Sequence, residues 1–176
     1  WVALCGSLAP GLPAESAGAL VRAARDAGAR VAVDTSGGAL RSAWAEGPAL
    51  VRVNRDELAA LLGVTRERVP PPPYPALGHV AMGVISDGAL PSEAWSDGRG
   101  TWQVAPPRVS VHNTIGCGDA MLAGLLHGLR EGQPFGDALL GATGLAAAQA
   151  ESLYAGMVDP VRARSLAQAL LAGPTA

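Results

Sequence analysis

Three short apolar runs, separated by stretches of helical periodicity, constrain this chain more than any other feature. Trp1-Val2-Ala3-Leu4-Cys5, Arg30-Val31-Ala32-Val33-Asp34 and Ala49-Leu50-Val51-Arg52-Val53 have the length and near-continuous apolar character of buried strands. Between the first two, Ala14 to Ala27 carries Leu20, Val21, Ala24 and Ala27 at helical spacing, with Pro13 suited to the first turn and Gly28 to the stop. Further helices are predicted over about Ala39 to Ala45 and Arg55 to Leu62. Strands that alternate with helices at this spacing make βαβ units, and βαβ units make a parallel sheet covered on both faces. The expected fold class is α/β.

The second half has a different texture. Val69-Pro70-Pro71-Pro72-Pro73-Tyr74-Pro75 suits neither helix nor central strand and favours an extended polyproline conformation. It reads as a stiff surface connector, the alternative being a target for a proline-binding domain. Val80 to Ser86 resumes as a strand, and Ala94 to Val104 reads as a hairpin turning at Asp97-Gly98, with Trp95 and Trp102 packing across it. A short strand is expected at about Arg108 to Val111. Helices follow at about Cys117 to Arg130, Pro134 to Glu151 and Pro160 to Leu171, with breaks at Gly132, Gly156 and Gly173. The Ala-rich run from Ala142 to Ala150 reads as a close-packing face.

Composition narrows the class of protein. The 176 residues are 49% hydrophobic but only 4% aromatic, so the core is expected to be mostly Ala, Val and Leu. A formal net charge of −2 gives no general attraction for nucleic acid or an anionic membrane, and neither is an expected partner. No apolar run is long enough to span a bilayer, and the first residues lack the basic region of a signal peptide, which makes the cytoplasm the expected location. Cys5 and Cys117 stand far apart with no metal-type spacing around them, so neither a disulfide scaffold nor a zinc site is expected. The chain opens on Trp1 and directly on a strand, as a piece of a longer protein would.

Chemistry concentrates in four loops. In open parallel sheets ligands bind at the carboxyl ends of the strands, and the polar loops starting at Gly6, Asp34 and Asn54 fall at such ends. The fourth is Asn113-Thr114-Ile115-Gly116-Cys117-Gly118-Asp119-Ala120-Met121-Leu122-Ala123-Gly124, where glycines permit a tight turn that opens directly into an apolar helix. Free N–H groups and the positive end of the helix dipole gather there and favour phosphate or a developing negative charge. Asp119 then has two readings, a helix cap or a base held beside an anion. Asn54 and Glu57 have the spacing of a helix capping box.

The order and spacing of four motifs, Gly6-Ser7-Leu8-Ala9-Pro10-Gly11, Asp34-Thr35-Ser36-Gly37, Val53-Asn54-Arg55-Asp56-Glu57-Leu58 and Asn113 to Gly124, resemble the C-terminal part of PfkB-type carbohydrate kinases of the ribokinase fold. The first two look most like the 1-phosphofructokinase and tagatose-6-phosphate kinase branch. The resemblance runs from Trp1 to about Met157. It implies a ribokinase-like three-layer αβα arrangement around a mostly parallel sheet, with residues 1–176 as the C-terminal portion of a single domain whose N-terminal part and lid are missing. It also implies ATP-dependent phosphorylation of a sugar phosphate. By this resemblance Asp119 is the catalytic base, and the N–H groups of Gly116, Cys117 and Gly118 form the anion hole. Asn54 and Glu57 match an Asn-x-x-Glu motif associated with Mg²⁺ through bound water, which suits a hard cation. Ser86, Gly88, Thr114 and Asn54 fall to the nucleotide, and Ser7 and Asp34, with Asp119, to the sugar phosphate.

Three departures from the family pattern stand out. Ser86-Asp87-Gly88-Ala89 is shorter than the family's Ser-x-Gly-x-x-Gly nucleotide loop, Arg52-Val53-Asn54 replaces Lys-Pro-Asn, and Cys117 replaces a small alanine. The implied activity is conversion of fructose 1-phosphate to fructose 1,6-bisphosphate. The alternatives are a truncated or degenerate kinase fold acting as a binding module, and a kinase for another sugar or a nucleoside. The resemblance leaves a homodimer open.

Overall fold

Residues 1–172 are described in a computed structural model. Six strands form one sheet in the order β1 to β6: β1 (Val2–Cys5), β2 (Val31–Asp34), β3 (Leu50–Asn54), β4 (Met82–Asp87), β5 (Leu90–Ser96) and β6 (Gly100–Val104). The first four are parallel neighbours, with Leu4 opposite Val33, Val33 opposite Val51, and Asn54 opposite Ser86. The βαβ units anticipated from the periodicity are therefore present. The helices between them are α1 (Glu15–Asp26), α2 (Gly37–Ala45) and α3 (Arg55–Leu62). Val21 of α1, Leu40 of α2 and Leu58 of α3 pack with Val33, Val51, Val53 and Ile85 of the strands into one core.

The described residues form two compact units, one of residues 1–88 and 92–103 and one of residues 89–91 and 104–172. The second contains α4 (Cys117–Arg130), α5 (Phe135–Glu151) and α6 (Pro160–Leu171). The alanine run does pack closely: Ala147 and Ala148 of α5 meet Ala163 and Leu166 of α6, and small side chains let these helices approach without gaps. Among the described residues no helix is long and apolar enough to cross a membrane.

Several elements differ from expectation. Trp1 to Cys5, read as a buried strand, is an edge strand whose Val2, Ala3 and Cys5 are exposed, because it pairs with β2 alone among the described strands. Residues 108–111 form no strand; their path ends with the His112 and Asn113 N–H groups donating to the Ala150 carbonyl instead of to a neighbouring strand. The hairpin at Asp97-Gly98 is present between β5 and β6, but β5 begins at Leu90, so β4 and β5 make a second hairpin.

The proline run does not simply extend. Its Tyr74 folds back, donates its hydroxyl to the Pro70 carbonyl at 2.9 Å and is buried. The Tyr74 ring meets Trp44 and Trp95 edge-on, with centroids 6.1 Å and 5.6 Å away. An aromatic cluster thus occupies part of a core expected to be aliphatic. The indoles satisfy their own donors, Trp44 to the Gly78 carbonyl at 3.3 Å and Trp95 to the Val80 carbonyl at 3.0 Å. Gly83 makes room for it: a Cβ there would lie 1.9 Å from Cη2 of Trp95, inside the ring's own volume.

Candidate functional site

At the carboxyl ends of the strands, the first two candidate loops are tied together. The Gly6 N–H donates to the Asp34 carbonyl at 2.8 Å, and the Thr35 hydroxyl donates to the Gly6 carbonyl at 2.6 Å. Ser7 is exposed beside this tie, whereas Asp34 is buried. Burial of a carboxylate demands a partner, and Arg52 of β3 supplies it, Nη1 lying 3.1 Å from Oδ2. The Nη2 of the same guanidinium donates to the Ser86 hydroxyl on β4 at 2.5 Å. Asp34, Arg52 and Ser86 thus form a polar row across β2, β3 and β4. Sequence reasoning noted Arg52 only as a departure from a pattern. Its signal was there, a charge inside an otherwise apolar strand.

Asn54 and Glu57 complete a reciprocal cap at the start of α3. The Glu57 N–H donates to Asn54 Oδ1 at 2.8 Å and the Asn54 N–H to Glu57 Oε2 at 2.9 Å. The cap therefore accounts for both residues, yet each accepting oxygen takes one donor and keeps a further lone pair. Such a pair of hard oxygens fits a cation that retains its water, as Mg²⁺ does. Among the described residues no three His, Cys, Asp or Glu side chains converge as an all-protein metal cage would require.

The shortened loop after β4 is a two-residue turn at Gly88-Ala89, with Gly88 at φ +60°. Just before it, Asp87 is gripped from two sides. Arg55 Nε lies 2.8 Å from Asp87 Oδ2 and its Nη2 lies 2.6 Å from Glu93 Oε1, while Arg66 pairs with both Asp87 and Asp56. Burial alone would lower the Arg55 pKa, but Glu93 and Asp87 outweigh it and hold the guanidinium above its ordinary value. Nothing in the sequence pairs these residues, which lie far apart along the chain.

In the second unit, the loop before α4 is a sequence of interlocked turns. Asn113 Oδ1 accepts the Ile115 N–H at 2.9 Å, and the Cys117 N–H donates to the Thr114 carbonyl at 3.3 Å. Gly116 is the N-cap at φ +82°, a conformation that a residue with a Cβ rarely adopts, and its carbonyl accepts the Ala120 N–H at 2.9 Å. Asp119 is thus the third residue of the helix, not its cap, and it is exposed, as is Thr114. The first-turn N–H groups of an α-helix have no acceptor within the helix, and with the dipole they draw negative charge. Gly116, Cys117, Gly118 and Asp119 are therefore gathered on one turn, with the Cys117 N–H already engaged by Thr114. Ser7, Asp34, Asn54, Glu57, Ser86 and Gly88 belong to the first unit, at or just beyond the carboxyl ends of β1 to β4.

This architecture is shared with solved sugar kinases. Phosphofructokinase-2 from Escherichia coli, in complex with substrates and products, matches with a TM-score of 0.82 at 26% identity, over 96% of this chain and 57% of that one. The ribokinase of Arabidopsis thaliana complexed with ribose and ATP matches with a TM-score of 0.74 at 21% identity, over 95% of this chain and 55% of that one. The fold is ribokinase-like α/β. Residues 1–161 match the profile of the pfkB family carbohydrate kinases, and the chain belongs to that family. A relative in sequence is the 1-phosphofructokinase of Rhodobacter capsulatus, 42% identical over 134 residues, which are 72% of this chain and 41% of the relative. The chain spans about half the length of the relatives it matches.

Proposed function

We propose that this chain is the phosphoryl-transfer portion of a kinase that moves the γ-phosphoryl group of ATP to a hydroxyl of a sugar phosphate, with fructose 1-phosphate as acceptor. The observation that carries this reading is the turn before α4. Gly116 caps the helix in a left-handed conformation and Asp119 stands exposed in the first turn, so a carboxylate and a set of N–H donors share one short segment. The choice of acceptor rests on the 42% identity to a 1-phosphofructokinase.

In the proposed reaction the acceptor oxygen attacks the γ-phosphorus, its proton passes to the Asp119 carboxylate, and the bond to the β,γ-bridging oxygen breaks to release ADP. The N–H groups of Gly116 and Gly118 would face the charge that grows on the transferring group, joined by that of Cys117 once it leaves the Thr114 carbonyl. Phosphoryl transfer leaves the protein mainly this work of positioning and charge stabilisation. Asn54 and Glu57 would hold Mg²⁺ through its retained water, and the ion supplies neutralising charge to the phosphates. Ser7 and Asp34 serve the sugar phosphate; Ser86, Gly88 and Thr114 serve the nucleotide.

Mg²⁺-dependent ADP release from the full chain, with ATP and fructose 1-phosphate, tests the reading beside Asp119→Ala. Release that needs the sugar phosphate and falls about 10²–10⁴-fold in the variant is expected from loss of a general base. Equal release by both proteins would overturn it. The tight turn at Gly88-Ala89 favours a second reading, a kinase fold kept as a binding module. Saturable binding of the sugar phosphate without turnover would select that one.

A further inference from the structure

Gln149 is 0% exposed near the end of α5, a helix whose other buried positions there are alanines. A buried amide is costly unless both its ends are bonded. Here both are, and both bonds go forward to the loop that follows the helix. Nε2 donates to the Tyr154 carbonyl at 3.0 Å, and Oε1 accepts the Gly156 N–H at 2.9 Å. Ser152 supports the same loop, its hydroxyl donating to the Tyr154 carbonyl at 2.9 Å and accepting the Tyr154 N–H at 3.2 Å.

The loop so held stands directly behind the turn before α4. A Cβ placed on Gly116 would lie 3.5 Å from Cβ of Ala155 and 3.7 Å from the Gly156 nitrogen, so Gly116 is backed by Gly156, which Gln149 holds, and by Ala155, which lies between the two residues that Gln149 bonds. A second stitch joins the same segments, with Asn113 Nδ2 donating to the Leu153 carbonyl at 3.3 Å. All of these groups lie in one unit of the chain.

The geometry points to Gln149 as a positioning residue that fixes the Gly116–Asp119 turn through the loop of residues 152–156. Its catalytic consequence rests on the kinase reading above; its structural consequence does not. A turn whose N–H groups must meet a transferring phosphoryl group loses rate steeply when it is displaced, whereas Ser7 and Asp34, proposed to bind the sugar phosphate beside Asp119, lie in the other unit. Gln149→Met keeps the buried volume and removes both hydrogen bonds, so it separates clamping from filling.

The test uses the full chain and reads hydrogen exchange together with kinetics. In Gln149→Met, exchange should quicken about tenfold or more at the bonded amides of the turn, Ile115, Cys117 and Ala120, as well as at Tyr154 and Gly156, with kcat falling about tenfold and KM for fructose 1-phosphate within about twofold. Ser152→Ala loosens the same loop without touching the helix core, and should shift both sets of amides in the same direction to a smaller degree. Should Gln149→Met fail to fold, the Ser152→Ala result decides. Faster exchange confined to residues 154–156, with the Gly116 turn and kcat as in the parent, would overturn the proposal. Absence of ADP release from the parent protein would count against the kinase reading alone, and exchange at Ile115, Cys117 and Ala120 would still decide the role of Gln149.

Discussion

Arg52 on β3 holds the carboxylate of Asp34 on β2 across 3.1 Å, with both side chains only 12% exposed. The pair lies 18 residues apart in sequence and is set side by side by the parallel register of the two strands. Removing one member of a buried pair leaves an uncompensated charge, at a cost of about 3–5 kcal/mol. Arg52→Leu should therefore lower the unfolding free energy in urea by about that amount, and Arg52→Leu combined with Asp34→Asn should cost less than the single change. Arg52→Lys should fall between, because a lysine keeps the charge but cannot reach Asp34 and Ser86 with two nitrogens at once.

The capping box of Asn54 and Glu57 permits a separation of stability from proposed function. Asn54→Ala removes the acceptor for the Glu57 N–H and should destabilise the protein by about 0.5–2 kcal/mol, whereas Asn54→Ser keeps a capping oxygen and should melt close to the parent. If Asn54 also serves Mg²⁺ and nucleotide, Asn54→Ser will raise the Mg²⁺ concentration needed for half-maximal ADP release while leaving the melting temperature nearly unchanged. Unchanged Mg²⁺ dependence would confine Asn54 to the cap.

Tyr74 makes stability sensitive to alkali. Burial in the aromatic cluster, with a smaller push from Glu93, raises the pKa of its hydroxyl well above the ordinary tyrosine value of 10.0. The unfolded chain would release this proton near pH 10.0 while the folded chain keeps it, so the unfolded state binds fewer protons and stability falls as pH rises. The contribution is intact below that pH and is lost progressively above it. Tyr74→Phe should be less stable at pH 8, having lost the bond to the Pro70 carbonyl, yet show a shallower decline between about pH 10 and pH 11.5. Parallel declines for the two proteins would exclude Tyr74 as the group responsible.

Much of the scaffold was legible because its signals are local. The bounds expected for α3, α4 and α6 agree with those observed, and in each case they follow from features within a few residues: the Asn54 cap, the glycine turn before Cys117, and Asp159 with Pro160. The βαβ alternation likewise survives from apolar runs and helical spacing into four parallel strands. Residues 108–111 had an equally plausible strand pattern and became none, because a strand also needs a neighbour to bond. The same dependence turned the apolar opening run into an exposed edge.

By itself, then, the amino-acid sequence determined the α/β class, the family and the segments that carry candidate chemistry, since periodicity, caps and glycine turns are written within one or two helical turns. Tertiary structure alone decided which polar groups were buried and which partners they found. Strand register brought Arg52 to Asp34 and Ser86, and packing folded Tyr74 onto Trp44 and Trp95. Helix and loop closure bonded the Gln149 amide to the loop that backs Gly116. The physical reason is common to all three: a buried polar or aromatic group is stable only with a particular partner, and that partner is supplied by a segment whose distance along the chain no local pattern records.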